Sequence, residues 1–231
     1  MLTSAREPFA TLDEASLSVL EIGLEADRLA RRAYIIVKRA VDVVFAAALL
    51  ISACWLFVLL AATVKLSSPG PVFFRQTRVG RNGREFTMVK FRTMQAERRR
   101  SAAPLPAGVA ERRRSHKSHR DPRVTCFGRV LRRTCLDELP QLWNVLKGDM
   151  SLVGPRPELP EIVAHYEPWQ HARHRVSPGI TGWWQVNRDP RRLMHEATEL
   201  DLYYVRNQSL LLDLWILLRT VGAVIGGSGA F

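Results

Sequence analysis

The sequence predicts an α+β fold that is mainly helical and is anchored in a membrane near its N-terminus. Three observations predict it: a long apolar stretch between Asp42 and Lys65, a hairpin signal at Asn82-Gly83, and helical periodicity from residue 122 onward. We therefore expect a hydrophobic helix, a β-hairpin and then a small, mostly helical domain.

Residues 43–64 are uncharged and mostly apolar. A helix of this length, at 1.5 Å per residue, is about 33 Å long, which exceeds the roughly 30 Å of a hydrocarbon core. Basic residues flank the stretch on both sides, so the positive-inside rule places both flanks in the cytoplasm. A re-entrant helix that breaks near Ser52 satisfies both flanks, and a straight span is the alternative.

Composition divides the chain into segments. We expect an accessory tail over 1–35, the membrane helix over 36–66, a juxtamembrane β-hairpin over 67–96, a basic mobile insertion over 97–121 and the core over 122–231. The segments from residue 67 onward together form one domain, because the remainder is too short for two.

The hairpin is predicted from two alternating runs, 72–79 and 85–91. Asn-Gly between such runs is a strong short-range hairpin signal. Lys90 lies on the second strand and Arg92 lies just after it. The hairpin therefore carries basic residues close to the membrane exit.

Asp137 and Glu138 are adjacent acids that we place at the start of a short amphipathic helix. The helix begins at one of them, because Pro140 then lies in the first turn, and it ends before Gly148. Its apolar face is expected to comprise Leu139, Leu142, Trp143 and Leu146. A helix N-terminus keeps a carboxylate ionised and can receive a phosphate oxygen. The structural alternative is capping of the helix N-terminus, but capping needs only one acid and two are present. With the preceding Arg132, this pair indicates phosphate chemistry.

Further along, residues 177–182 are predicted to form a tight loop and residues 193–204 a helix. Residues 210–224 are apolar with two charges, and they either pack in the core or lie in the bilayer interface. His171 and His174 have helical spacing for a metal, but no third acidic ligand lies nearby, so a structural histidine pair is favoured.

The net charge of +12 attracts anionic lipids or phosphorylated ligands. A membrane-tethered nucleic-acid-binding protein is an alternative, but the Arg triplets contain no aromatic residues, so we expect no nucleic acid partner. The three cysteines form no CxxC pair, which argues against a zinc site or a disulfide framework and for a reducing compartment.

Several motifs occur in a fixed order along the chain. They occupy residues 38–42, 69–76, 90–94, 131–141, 148–157, 178–182 and 201–204. In this order they resemble one family, the bacterial sugar transferases, which are monotopic polyprenyl-phosphate phosphoglycosyl transferases. The resemblance covers nearly everything after residue 37.

The resemblance implies transfer of a sugar 1-phosphate from a UDP-sugar to polyprenyl (undecaprenyl) phosphate, with release of UMP. It also implies a cytosolic catalytic domain with interfacial helices, on the cytoplasmic leaflet of the bacterial inner membrane. Glycosyltransferases of the same pathway are expected partners. Asp137 matches the nucleophile that forms a covalent phosphosugar-aspartyl intermediate, and Glu138 and Asp137 are the expected ligands of Mg²⁺.

The remaining site residues are expected to bind substrate. They are Arg132 and Arg156 at the phosphate oxygens, Lys90 and Arg92 at the lipid phosphate, and Asp149 and Asp201. Structural alternatives remain for three of them: Arg132 as a solvated charge, Asp149 as a turn cap, and Asp201 as the partner of an arginine.

Three positions depart from the family pattern. Ser52-Ala53 stands where a Ser-Pro pair is common, Cys135 replaces a serine, and Gln208 replaces an interfacial tryptophan. Cys135 would place a reactive thiol two residues from the expected nucleophile. A catalytically inactive member acting as a scaffold is a further alternative, against which the retained Asp137, Glu138 and Arg156 argue.

Overall fold

A computed structural model describes residues 14–95, 123–187, 189 and 192–226. The helices are α1 Glu14–Ser52, α2 Cys54–Ser67, α3 Cys126–Arg133, α4 Gln141–Lys147, α5 Pro160–Val163, α6 Trp183–Val186, α7 Thr198–Arg206 and α8 Leu210–Ile225. The strands are β1 Phe73–Val79, β2 Glu85–Phe91, β3 Ser151–Val153 and β4 Gly179–Thr181, and short 3₁₀ helices lie at Arg81–Gly83, Leu136–Glu138, Pro168–Arg175 and Met194–Ala197. The predicted mixture of helix and strand, mainly helical, is confirmed.

The chain divides into two compact units, Met1–Ala40 and Val41–Phe231. All strands named above lie in the second unit. The mobile insertion predicted over 97–121 lies outside the described residues.

The break between α1 and α2 occurs where Ser52 was expected to place it. Within the described part of the chain, no single helix is both long and apolar enough to cross a membrane. The segments Leu29–Ser52 and Cys54–Ser67 meet that condition together, with a bend of 65°, as a broken span or a re-entrant loop would. The Ser52 hydroxyl donates to the Leu49 carbonyl at 3.3 Å, beside the break.

β1 and β2 form the predicted antiparallel hairpin, in a register that pairs Phe73 with Phe91. The chain reverses at Arg81–Gly83, where Asn82 (φ 56°) and Gly83 (φ 74°) both adopt positive φ. Such a reversal favours Asn-Gly, because asparagine tolerates positive φ and glycine adopts it without a Cβ clash.

β3 and β4 form a second, parallel pair that the sequence analysis missed, because it assigned 177–182 to a loop. The two backbones are packed against each other: a Cβ on Gly179 would lie 2.1 Å from the Gly154 amide nitrogen. Only glycine, which has no Cβ, allows the two backbones to come this close. The pair fixes the start of the loop that follows Val153.

The main core cluster joins residues of α4, α7 and α8 to residues of α1, β2 and β3. Buried members include Leu142, Val145, Tyr204 and Ile216. One side of α8 packs in the core, as one of the two predictions for its segment expected, since Ile216 is fully buried. The other sides are exposed, and their position in the bilayer interface stays a prediction. The exposed apolar residues of α8 are Leu210, Leu211, Leu214, Trp215, Leu218, Val221 and Ile225.

Candidate active site

Asp137 and Glu138 lie in a separate 3₁₀ turn, Leu136–Glu138, and α4 begins only at Gln141. The predicted helix start at one of the acids is therefore wrong. Cys135, at φ 57°, turns the chain into this segment, and its carbonyl accepts from the Glu138 amide at 3.1 Å. Pro140 has no N–H with which to donate a hydrogen bond to an earlier carbonyl, so the α-helical hydrogen bonds start after it.

The face of α4 that packs inward also differs from the prediction. Trp143 is 58% exposed, whereas Asn144 is 1% exposed. The Asn144 amide donates to the Thr87 carbonyl at 2.8 Å and accepts from the Val89 amide at 3.2 Å. Asn144 therefore ties α4 to the edge of β2 beside Lys90, a role that sequence reasoning missed. An asparagine between apolar residues in the middle of the helix was the available signal.

Glu138 is buried and is held by two cations from distant parts of the chain. The Lys90 ammonium contacts Oε1, and the Arg156 guanidinium reaches Oε1 at 2.6 Å and Oε2 at 3.3 Å. Burial opposes ionisation, but Arg156 and Lys90 outweigh it and hold the pKa of Glu138 well below its usual range. Glu138 is therefore a carboxylate whose oxygens are occupied by cations.

Asp137 is equally buried, yet its carboxylate makes no hydrogen bond or ion pair within the described residues. Burial raises its pKa to about 6, with Lys90 opposing that rise and Glu138 adding to it. Two adjacent acids thus have opposite environments, which is the usual way in which one fold gives two carboxylates different roles. Asp137 keeps its lone pairs available.

Arg132 lies at the border of this cluster. Its Nε donates to the Thr93 hydroxyl at 2.9 Å. Its charge is close enough to lower the pKa of Asp137. The structure therefore brings Lys90, Arg132 and Arg156 around the two acids.

Arg92 is not brought into the cluster. Its guanidinium donates to the carbonyls of Pro71, Val64 and Ser68. The last carbonyls of a helix have no intrahelical partner, and Arg92 satisfies those at the end of α2. These contacts hold Arg92 at the end of α2, and its contact with a lipid phosphate stays a prediction.

Asp149 and Asp201 also lie apart from the acids. Asp149 accepts from Lys147 at 3.0 Å and from Asn144 at 3.2 Å, at the end of α4. Asp201 is fully buried and pairs with Arg173 at 2.6 Å. For both, the structure favours the structural alternative over substrate contact.

The thiol of Cys135 is not activated. Burial raises its pKa to about 11, and the neighbouring Glu138 and Asp137 add to the rise. The thiol therefore stays protonated at neutral pH, and the reactivity expected from its position does not follow.

No group of three or more His, Cys, Asp or Glu side chains suited to a metal lies within 14–95, 123–187, 189 and 192–226. His174 stacks on the Tyr166 ring, and His171 meets the same ring edge to face. Any cation at Asp137 and Glu138 would thus need oxygens from a bound ligand. An oxygen-only set of one or two carboxylates plus phosphate is the set that Mg²⁺ uses, and the open lone pairs of Asp137 fit it.

Comparison with known proteins places this geometry in context. The family model described as bacterial sugar transferase matches residues 33–227. A UDP-glucose:undecaprenyl-phosphate glucose-1-phosphate transferase of Xanthomonas campestris pv. campestris is 41% identical over 93% of this chain and 44% of its own length. The uncharacterized sugar transferase EpsL of Bacillus subtilis is 43% identical over 84% of this chain and 90% of its own length.

A third relative, from Aeromonas hydrophila, is a UDP-N-acetylgalactosamine-undecaprenyl-phosphate N-acetylgalactosaminephosphotransferase. It is 39% identical over 85% of this chain. The chain spans 44% of the Xanthomonas protein and 45% of the Aeromonas protein. The similarity to these two therefore concerns less than half of each.

Proposed function

This chain belongs to the bacterial sugar transferase family, and we propose that it transfers a sugar 1-phosphate from a UDP-sugar to undecaprenyl phosphate. The names of the Xanthomonas and Aeromonas relatives describe that class of reaction. The observation that carries the proposal is the contrast between Asp137, which has open lone pairs, and Glu138, which is held by Lys90 and Arg156.

The reaction proceeds in two displacements at one phosphorus. A carboxylate oxygen of Asp137 attacks the phosphorus that bears the sugar, and the bond from that phosphorus to the bridging oxygen of the diphosphate breaks, so that UMP leaves. A phosphate oxygen of the lipid then attacks the same phosphorus, and the bond to Asp137 breaks. The products are UMP and polyprenyl diphosphate sugar, and the free carboxylate returns.

The cations around the acids stabilise charge on the transferred phosphoryl group. Arg156 uses two N–H donors on Glu138 and keeps others for phosphate oxygens. Lys90 and Arg132 approach from β2 and α3. Fixed positive charge of this kind is the principal source of catalysis in phosphoryl transfer.

Mg²⁺ is part of the proposal, with Asp137 and Glu138 as its protein ligands. When bound, it would neutralise charge on the diphosphate and polarise its oxygens. Lys90 and Arg156 already occupy lone pairs of Glu138, so Asp137 is the less encumbered ligand.

We place the protein on the cytoplasmic leaflet of the bacterial inner membrane. The bent pair of α1 and α2, the basic flanks of their apolar stretch and the exposed apolar residues of α8 support this location. A lipid-linked acceptor would meet the site at that surface, and glycosyltransferases that extend its product would act there as well.

The test is UMP release by the detergent-solubilised protein with undecaprenyl phosphate, Mg²⁺ and a panel of UDP-sugars. We expect release with at least one donor, and trapping of the labelled sugar phosphate on wild-type protein without acceptor. Asp137→Asn should abolish both, whereas Glu161→Gln, which removes an exposed carboxylate on α5, should change neither. Retained turnover in Asp137→Asn would remove Asp137 as the nucleophile, and no release with any donor would favour the scaffold alternative.

A further inference from the structure

The loop that carries Arg156 is held in place by hydrogen bonds that its backbone carbonyl groups accept. Pro155 and Pro157 flank Arg156, and neither has an N–H to donate. The three successive carbonyls are bound by separate donors: the Pro155 carbonyl by the Gly179 amide at 3.0 Å, the Arg156 carbonyl by Arg173 at 2.7 Å and the Pro157 carbonyl by Arg78 at 3.3 Å. The backbone of the loop is therefore fixed from outside, while the side chain of Arg156 faces Glu138.

Arg173, which lies in the 3₁₀ helix Pro168–Arg175, is the more buried of the two arginine donors. Its side chain is 1% exposed, as is that of its partner Asp201 on α7. One terminal nitrogen of Arg173 both pairs with Asp201 at 2.6 Å and donates to the Arg156 carbonyl at 2.7 Å. The other donates to the Tyr166 hydroxyl. These three contacts leave the guanidinium in a single orientation.

Stability alone does not account for a charge pair in this place. Two buried charges lose their hydration, and a well-packed apolar pair of similar volume is often equally stable. What an apolar pair cannot supply is a donor directed at the Arg156 carbonyl. Asp201 provides the negative charge that keeps the Arg173 guanidinium at that position.

We propose that Arg173 and Asp201 are positioning residues that act through Arg156. By holding the Arg156 carbonyl, they keep its guanidinium bidentate on Glu138 and correctly placed for the transferred phosphate. This inference rests on the proposed function and assigns Asp201 a role different from substrate contact. A displacement of about 1 Å in such a clamp can cost roughly 100-fold in rate.

The test is a double-mutant cycle on kcat/KM with Asp201→Asn and Arg156→Lys. Asp201→Asn keeps the shape of the side chain and removes its charge, and we expect it to lower kcat/KM roughly 10- to 100-fold in the wild-type background. In the Arg156→Lys background, where the bidentate contact is already lost, the same change should cost less than about threefold. A residue that only supports the fold would lower kcat/KM equally in both backgrounds.

Glu199→Gln is the matched control, because Glu199 lies on the same helix as Asp201 but forms an exposed pair with Arg192. It should leave kcat/KM unchanged. If Asp201→Asn does not fold, as judged by circular dichroism, Arg173→Lys replaces it, since lysine can pair with Asp201 but cannot also reach Tyr166 and the Arg156 carbonyl. Equal losses in both backgrounds, or wild-type kcat/KM in a folded variant, would overturn the proposal. Inactivity of the wild type would instead count against the proposed function.

Discussion

The Arg156 guanidinium spans both oxygens of Glu138, with Nη2 at 2.6 Å from Oε1 and Nη1 at 3.3 Å from Oε2. This contact, together with Lys90, distinguishes Glu138 from Asp137 beside it. The two acids have similar chemistry and similar burial, yet only one has its lone pairs occupied by cations. The proposed division into a nucleophile and an electrostatic anchor follows from that difference.

The rate of the first displacement should depend on the protonation of Asp137. Burial raises the pKa of this carboxyl group to about 6, and only the ionised form is nucleophilic. We expect the single-turnover rate of UMP release to be nearly constant from pH 7 to 8 and to fall about tenfold per pH unit well below pH 6. Stopped-flow or quench measurements with a saturating UDP-sugar would show this, and a rate that rises on acidification would contradict it.

Glu138→Gln should impair the site without removing the nucleophile. A neutral amide cannot hold Lys90 and Arg156 as Glu138 does, so we expect kcat to fall roughly 100-fold or more. Asp137 remains, so the labelled adduct should still form, only slowly. Glu138 raises the pKa of Asp137, so the inflection of the pH profile should move below its wild-type position where Lys90 and Arg156 stay in place, and above it where they move away from Asp137.

The pH shift separates this effect from general loss of structure. A partly unfolded variant would release UMP more slowly at every pH, but the inflection of its pH profile would stay at the wild-type position. Complete absence of the adduct in a folded Glu138→Gln variant would contradict the assignment of Glu138 as an electrostatic anchor that only accelerates the reaction.

The sequence predicted the features that local chemistry determines. The Asn82-Gly83 reversal gave the hairpin, because positive φ at both positions favours those residue types. The break near Ser52 was expected because basic residues flank both ends of the apolar stretch, and Ser52 is the polar residue near its middle. β3 and β4 were missed because three-residue strands show no periodicity and are defined by packing of Gly154 against Gly179.

The site was predictable to the extent that its residues are neighbours in sequence. Asp137 and Glu138 could be found together, but nothing local distinguishes which of them is held by cations. Arg92 was expected at the lipid phosphate because it follows the juxtamembrane hairpin, and Asp201 was expected at substrate because it lies in one of the motifs that carry the family resemblance. The partners that the structure shows for them, the end of α2 and the buried Arg173, come from distant segments that a single sequence does not pair.

Asn144 should stabilise the fold by holding α4 on β2, the strand that carries Lys90. Its side chain satisfies the Thr87 carbonyl and the Val89 amide on the free edge of β2. Asn144→Leu keeps the volume but leaves both backbone groups unpaired, which should cost about 2–4 kcal/mol of unfolding free energy. Urea unfolding followed by circular dichroism would measure this. Asn207→Leu, at an exposed asparagine after α7, is the control and should have little effect. A change below about 0.5 kcal/mol for Asn144→Leu would show that water replaces the lost contacts.

Gly154→Ala should disrupt the packing that leads into the Arg156 loop. A Cβ at this position would lie 2.4 Å from the Ser177 carbonyl oxygen and 2.9 Å from the Gly179 amide nitrogen. Both are backbone atoms, so neither can rotate away, and we expect a loss of at least about 3 kcal/mol in unfolding free energy. Gly222→Ala in α8 is the control, because a Cβ there meets nothing within 4 Å and alanine favours a helix by about 0.5–1 kcal/mol. Thermal unfolding of the two variants should therefore shift in opposite directions, and a wild-type transition for Gly154→Ala would mean that β3 and β4 can separate without loss of stability.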